Sequence, residues 1–270
     1  MYLFNLGRKS GYLNIVRSSI SFFTQHSSLK LGSDIVVGRL FRYFYKERPK
    51  FPRFIVTWDV GVMLKFLARW HPIASLSMQQ LTLKCVSLLA LTSSDRAQTL
   101  HLLDVERVHI SSQGLEFEVA SLLKTRRGAP KKGLPPKVVK CVAWDAPELN
   151  VAEYIEAYMR KTLKFRIKAV RLGRDKPTQL FLSHRTGKEV QRATISRWIR
   201  QVMSLSGIDI STFKPGSTRG ASSSMAARQG ATPFQIMSHG DWSNLGTYER
   251  FYRRELHDSP VGQLILQSSN

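Results

Sequence analysis

The stretch at residues 213–255, FKPGSTRGASSSMAARQGATPFQIMSHGDWSNLGTYERFYRRE, carries the most specific pattern in the chain. Its apolar residues are spaced for three short helices, which we expect at residues 217–229, 232–238 and 244–254. The last of these helices has an apolar stripe that core packing alone would produce. The side chains that could take part in a reaction are an arginine near the start of the first helix and the tyrosines of the last helix.

The charge of the whole chain indicates a polyanionic partner. Its 270 residues include 41 Lys and Arg against 19 Asp and Glu, a formal net charge of +22. Such a surplus is self-repelling unless a polyanion neutralises it, and neutralisation of phosphates by Lys and Arg dominates the affinity for nucleic acids. Because 43% of the residues are hydrophobic and 10% aromatic, we expect a folded protein of one large or two small domains rather than a disordered basic tail.

The same composition excludes several other classes of protein. No stretch of consecutive apolar residues comes near the length of about 18 residues that a membrane-spanning helix needs. The two cysteines, Cys85 and Cys141, lack a Cys/His cluster, which argues against a disulfide scaffold or a structural zinc site and fits the reducing interior of a cell. The first 33 residues contain no acidic residue; they loosely resemble a transit peptide, but their periodicity favours helices of a folded domain.

No nucleotide-binding or metalloprotease motif is present, and the acidic residues are too scattered for the carboxylate cluster of a two-metal nuclease. A basic protein that acts on DNA without metals has to draw its electrophilic groups from Arg and Lys. An RNA-binding protein is a weaker alternative, because no aromatic stacking signature of the RRM type is visible.

Outside residues 213–255, periodicity predicts a mainly helical chain with a small sheet. We expect helices at residues 11–25, 35–45, 59–68, 77–91, 148–165 and 191–205, a short helix capped by Ser94 or Asp95, strands at 105–110, 115–123 and 137–144, and an extended segment at 180–183. The nearly all-apolar helix at 77–91 is expected to be central.

A basic, proline-containing stretch divides this pattern. KERPKFPRF, residues 46–54, is typical of a linker or of an ordinary surface loop. The domain organisation we predict is a helical part at residues 1–48, a linker at 49–57, a main domain at 58–258 and a tail at 259–270.

Four fragments, in this order, resemble the tyrosine recombinase family. Residues 91–110, LTSSDRAQTLHLLDVERVHI, resemble the segment with the first catalytic arginine, and residues 116–128, EFEVASLLKTRRG, resemble the hairpin that supplies the lysine. The S-T-R-G-A-S and W-S…R-F-Y fragments of residues 213–255 look closest to the branch carried by DIRS-like retrotransposons. The resemblance covers residues 10–258 and implies an α+β fold, mainly α, with a short helical core-binding part and a catalytic domain that holds a small antiparallel sheet.

The resemblance implies DNA recombination or integration through a 3′-phosphotyrosine intermediate, without metal or cofactor. Tyr252 would be the nucleophile, and Arg96 and Arg219 would clamp the scissile phosphate. Lys124 would protonate the departing 5′-oxygen, and Trp242 would contact the phosphate. These residue types suit the chemistry, because a tyrosine hydroxyl with a pKa of about 10 is a poor nucleophile without assistance, and paired guanidiniums stabilise the charge of the transition state.

Two positions depart from the family pattern. Gly216 stands three residues before the second arginine, where the family usually has His, and Thr99 stands where an acid is common. The missing His would impair turnover, although His184 or Lys214 could take over part of its role.

A rival nucleophile exists as well. Tyr248 lies nine residues after His239, which is the spacing of many bacterial relatives, whereas the W-S…R-F-Y match favours Tyr252.

The partners implied are double-stranded DNA and further copies of the chain, with four protomers on two duplexes, no membrane, and a nuclear or otherwise intracellular location at the DNA. The helical part at residues 1–48 is short for a complete core-binding domain. Together with Gly216, this supports an alternative function, that of a catalytically inactive DNA-binding remnant of a mobile element.

Overall fold

The protein divides into two compact units, Met1–Arg53 and Phe54–Asn270. The computed structural model describes residues 1–24, 33–49, 56–119, 136–242 and 244–254, apart from the side chains of residues 250 and 251. Lys124, the tail at 259–270 and residues 50–55 of the expected linker lie outside this described part. Across these ranges, we find no helix whose length and hydropathy would let it cross a membrane.

The described residues of the first unit form three helices around a small hydrophobic cluster. They are α1 (Tyr2–Asn5), α2 (Ser10–Phe23) and α3 (Ile35–Glu47), which confirms the two longer helices expected from periodicity. The cluster consists of the buried side chains of Phe4, Leu13, Phe41 and Phe44. The Phe4 and Phe44 rings stack at 4.3 Å between centroids.

The second unit contains eight α-helices among its described residues, arranged around α5. These are α4 (Val60–Ala68), α5 (Met78–Thr92), α6 (Ala97–His101), α7 (Val151–Arg171), α8 (Arg192–Leu205), α9 (Thr218–Arg228), α10 (Pro233–Gly240) and α11 (Leu245–Phe251). Helix α5 is buried without interruption from Leu81 to Leu91, as its apolar sequence predicts. It packs against α7, α8 and α9, so it forms the centre on which the other helices are placed.

A three-stranded antiparallel sheet accompanies these helices, as the sequence predicts. Strands β1 (Val108–Ser111), β2 (Gly114–Val119) and β3 (Lys137–Val142) are paired in the order β1-β2-β3. Gly114 is required at the turn, because its φ is +125° and a Cβ there would lie 2.1 Å from the Cys141 carbonyl oxygen. The segment at 180–183 forms only an isolated bridge, between Leu182 and Glu189.

Two of the predictions that the structure contradicts concern segments that reach the site. Helix α6 is capped by Arg96 rather than by Ser94 or Asp95. Ser94 has a left-handed backbone, with φ +52°, and the Asp95 side chain is buried beside Lys137. Helix α11 ends at Phe251, three residues earlier than expected, so that Tyr252 is its C-cap.

Candidate active site

Three of the five predicted site residues line one cavity. Arg96, Arg219 and Tyr252 surround a volume of about 400 Å³, together with Gly216 and Arg192. The starts of α6, α8 and α9 supply the arginines, and the end of α11 supplies the tyrosine. A larger cavity of about 610 Å³, at the end of α7, contains none of the predicted residues.

Arg219 is the most constrained cation in this cavity. Its side chain is on the first turn of α9 and only 3% exposed. One guanidinium nitrogen donates to the Gly240 carbonyl oxygen at 2.5 Å, while Nε is buried without a hydrogen-bond partner among the described residues. Burial, followed by the nearby charge of Arg96, lowers the pKa of Arg219 to about 10. The guanidinium is therefore still charged at neutral pH but poorly solvated, which favours the binding of an anion.

Trp242 lies directly beneath this arginine. The Arg219 Cζ atom is 3.8 Å from the centroid of the indole ring, within the range of a cation–π interaction. The indole nitrogen is buried and has no hydrogen-bond partner in the described part of the chain, whereas a buried tryptophan usually finds one. Trp242 thus carries a buried donor without a partner among the described residues, and its ring is not part of the cavity wall.

A glycine allows the tryptophan to pack so closely. A Cβ at Gly240 would lie 1.9 Å from Cζ3 of Trp242, which is much too close for two carbon atoms that are not bonded to each other. The next residue, Asp241, has a left-handed backbone with φ +56° and ψ +45°, which turns the chain so that the indole folds back onto the end of α10.

The two tyrosines of α11 have different environments. Tyr252 is half-buried, lines the cavity and has its ring centroid 5.4 Å from the Arg219 Cζ atom. Tyr248 is 1% exposed; its hydroxyl is buried without a partner among the described residues, and burial raises its pKa. On the apolar face of α11, Tyr248 is therefore part of the hydrophobic core, whereas Tyr252 faces the cavity beside the arginines.

A buried ion pair, which the sequence patterns did not reveal, supports the loop that carries Arg96. Lys137 Nζ lies 3.5 Å from an Asp95 carboxylate oxygen and donates to the His239 carbonyl oxygen at 2.9 Å. Burial raises the pKa of Asp95, and the charge of Lys137 is the largest influence that opposes the rise. The pair ties β3 to the Arg96 loop and to the end of α10. The strand alternation held a signal, because Lys137 shares the inward face of Val139 and Cys141.

Gly216, which stands where the resemblance leads us to expect His, has free space around it in the structure. Gly216 lies in the turn Pro215–Ser217, and no atom comes within 4 Å of a Cβ built there. Of the two candidate substitutes, Lys214 donates to the carbonyl oxygens of Ile210 and Ser211, and neither Lys214 nor His184 lines the cavity.

Arg192, the first residue of α8, lines the same cavity wall as Gly216. A basic residue at the start of an amphipathic helix is the sequence signal that could have singled it out. Thr99, at the position of the missing acid, is buried in α6. Among the described residues, no group of three or more His, Cys, Asp or Glu side chains is placed to hold a metal ion.

Comparison with known proteins identifies the fold. No protein-family model matches the sequence, and no curated protein is similar to it. The structure is similar to that of the XerA recombinase, with a TM-score of 0.51 at 18% identity over 97% of this chain and 83% of XerA. It is also similar to the XerH site-specific recombinase bound to difH substrate in a pre-cleavage complex, with a TM-score of 0.52 at 11% identity over 97% of this chain and 70% of XerH.

A third similar structure is a lambda integrase dimer bound to a COC′ core site. Its TM-score is 0.52 at 14% identity, and the match covers 93% of this chain but only 61% of the integrase chain. All three neighbours are tyrosine recombinases. The expected architecture, a mainly helical chain with a small antiparallel sheet and a fold like theirs, is therefore confirmed.

Proposed function

We propose that this chain breaks and rejoins double-stranded DNA as a tyrosine recombinase, through a 3′-phosphotyrosine on Tyr252 and without metal or cofactor. The observation that carries the proposal is the poorly solvated Arg219, which lies beside Arg96 and Tyr252 in one cavity. Two neighbouring cations leave a strong positive potential at that point, and a phosphodiester is the anion that a chain of net charge +22 would meet there.

The proposed reaction assigns one step to each of these residues. The scissile phosphate enters between Arg96 and Arg219, whose guanidiniums donate to its non-bridging oxygens. The Tyr252 oxygen attacks phosphorus and its proton passes to solvent water, while the bond to the 5′-oxygen breaks and that oxygen takes up a proton. Lys124 is the donor we propose for this step. The reverse reaction, with a 5′-hydroxyl as nucleophile, rejoins the strand and releases Tyr252, so the bond energy is conserved.

The cations are held in place before substrate arrives. Arg219 is fixed by the Gly240 carbonyl oxygen and the Trp242 ring, and the loop of Arg96 by the pair of Asp95 and Lys137. Such preorganisation lowers the reorganisation cost in the transition state. A contact of Trp242 with the phosphate is proposed from the resemblance alone, since its ring lies behind Arg219 and outside the cavity wall. With Gly216 in place of His, we expect slow turnover.

The finer assignments rest on the sequence resemblance and on the neighbours. The S-T-R-G-A-S and W-S…R-F-Y fragments support an origin in a DIRS-like mobile element, with action in the nucleus. XerH bound to difH and the lambda integrase dimer bound to a COC′ site support duplex DNA as partner, for which we propose a homo-tetramer on two duplexes. In this scheme, residues 1–48 are a core-binding part, residues 49–57 a linker and residues 58–258 the catalytic domain.

One specific observation favours a second function. Gly216 stands where the family usually has His, so a hydrogen-bonding and proton-handling group is missing, and the helical part at residues 1–48 is short for a core-binding domain. A DNA-binding remnant without chemistry would keep the basic surface and lose cleavage. Its affinity for duplex DNA would fall steeply with salt, but no covalent product would form.

Trapping on nicked DNA separates the two functions. A nick close to the cleavage point lets a short strand end diffuse away, so the phosphotyrosine link persists and survives denaturation. We expect an adduct with the unmutated chain and with Tyr248→Phe, and none with Tyr252→Phe. DNA binding with no adduct from the unmutated chain would select the remnant, and an adduct that survives Tyr252→Phe would move the nucleophile elsewhere.

A further inference from the structure

The backbone just beyond α11 is held by side chains of another helix. The Tyr252 amide donates to the Tyr248 carbonyl oxygen at 2.8 Å, but the helix ends there, so the Tyr252 carbonyl lacks the partner that a continuing helix would provide. Ser224 of α9 fills this role, with its hydroxyl donating to the Tyr252 carbonyl oxygen at 2.7 Å. The same hydroxyl oxygen accepts the Arg254 amide at 2.7 Å. One buried serine thus joins both ends of the three-residue segment that starts at Tyr252.

Helix α9 also contacts the tyrosine ring. A Cβ built at Gly220 would lie 4.0 Å from Tyr252 Cδ1, so the ring lies close to the first turn of the helix. Arg219, on the same turn of α9, places its Cζ atom 5.4 Å from the ring centroid. A single helix therefore carries the arginine of the cavity, lies close to the tyrosine ring and holds the backbone of the tyrosine by hydrogen bonds.

We propose that Ser224 is a positioning residue that holds the Tyr252 segment at the cavity, and that Ser223 assists it weakly. The role rests on the proposed function, since it assigns Tyr252 as the group to be positioned. In-line attack depends on placement of the nucleophile to within a fraction of an ångström. A helix end that stops one residue before the nucleophile does not provide such placement by its own hydrogen bonds.

Three consecutive serines supply a graded series. Ser224 makes both hydrogen bonds to the segment. Ser223 lies 3.3 Å from the Tyr252 carbonyl oxygen, but its single proton is nearer to the Arg219 carbonyl oxygen at 2.8 Å. Ser222 has a buried hydroxyl with no hydrogen-bond partner among the described residues. Removing the Ser224 hydroxyl should therefore loosen the Tyr252 segment most, and removing that of Ser223 should loosen it less. Removing the Ser222 hydroxyl should have no effect on the segment.

The test compares Ser224→Ala, Ser223→Ala and the control Ser222→Ala in the full chain on nicked duplex DNA. For Ser224→Ala we expect the single-turnover rate of adduct formation to fall about tenfold or more, as the loss of two hydrogen bonds to the reacting segment implies. DNA affinity should be unchanged. Ser223→Ala should lose about threefold at most, and Ser222→Ala should match the unmutated chain.

Limited trypsin digestion provides a readout that does not depend on activity. Cleavage after Arg253 should accelerate in Ser224→Ala and not in Ser222→Ala, because only the first releases the segment. Equal digestion and equal rates in all three variants would overturn the positioning role while the unmutated chain still forms its adduct. A general loss of folding in Ser224→Ala, with DNA affinity and rate falling together, would also overturn it and reduce Ser224 to a structural cap. No adduct from the unmutated chain would overturn the proposed function itself.

Discussion

Replacing Gly240 by alanine should displace the Trp242 ring that packs against Arg219 in the candidate site. The new Cβ would lie 1.9, 2.3 and 2.7 Å from three atoms of the Trp242 ring. Carbon atoms in contact are about 3.5–4.0 Å apart, so the ring has to move by about 1.5 Å. That displacement separates the indole from Arg219, which now lies 3.8 Å from its centroid, and from the Tyr252 ring at 4.8 Å.

The magnitude follows from the packing that is lost. Forcing an additional carbon into a well-packed region costs about 1–3 kcal/mol, and a desolvated cation–π contact is worth about 2 kcal/mol. The higher helix propensity of alanine returns at most about 1 kcal/mol. We therefore expect Gly240→Ala to lower the free energy of unfolding by about 3 kcal/mol, and to lower the rate of adduct formation because Arg219 loses its fixed position.

Urea unfolding and single-turnover trapping on nicked DNA measure the two effects. Gly216→Ala is the matched control, because it also adds one methyl group to a glycine, but no atom lies within 4 Å of the new Cβ and the backbone is not left-handed. Its unfolding free energy should change by less than about 0.5 kcal/mol. If Gly240→Ala were as stable as this control and formed adduct equally fast, Trp242 would not support Arg219 as described.

Gly216→His should raise the rate of adduct formation at least about tenfold in single-turnover trapping, because the new imidazole supplies the cavity with a proton-handling group. A rate no higher than that of Gly216→Ala would contradict this. Lys137→Met should lower the free energy of unfolding at pH 7 by about 3–5 kcal/mol in urea titrations, since it leaves a buried carboxylate unpaired, whereas Met in place of the exposed Lys140 should cost less than about 1 kcal/mol. The charge of Lys137 is the largest influence that opposes the raised pKa of Asp95, so its removal should raise that folded-state pKa further. The folded variant then binds a proton at a higher pH than the unmutated chain, and the Lys137→Met defect should shrink as the pH falls from 7 to 5; a constant defect would show that the Asp95 carboxylate is not its cause. Sulfate should stabilise the unmutated chain by about 1.4 kcal/mol at ten times its Kd and raise its thermal midpoint by about 3–6 °C, whereas Arg219→Met should respond much less, and an equal response would remove Arg219 from the anion site.

Most of the fold follows from local patterns. The unbroken apolar run of α5 requires a central position, and the alternation in β2 and β3 fixes which face of the sheet is buried. Helix ends are harder, because they depend on tertiary partners. Asp95 is a good capping residue by type, yet its pairing with Lys137 across the unit outweighs the cap.

The site is predictable only where a motif marks it. Arg96, Arg219 and Tyr252 stand in fragments that resemble a known family, and the fold brings them to one cavity. Arg192 and Lys137 stand outside any motif, and their placement depends on how α8 and β3 pack against distant segments. The choice between Tyr248 and Tyr252 depends on where α11 ends, which the apolar stripe alone does not specify.

The identity of the residue that carries DNA after trapping tests the central claim most directly. Trypsin separates the two candidates, because cleavage after Arg228, Arg250 and Arg253 places Tyr248 in peptide 229–250 and Tyr252 in peptide 251–253. After nuclease digestion of the trapped complex, we predict that the residual nucleotide mass is found on peptide 251–253. Nucleotide on peptide 229–250, or no modified peptide from DNA-bound protein, would contradict Tyr252 as the nucleophile.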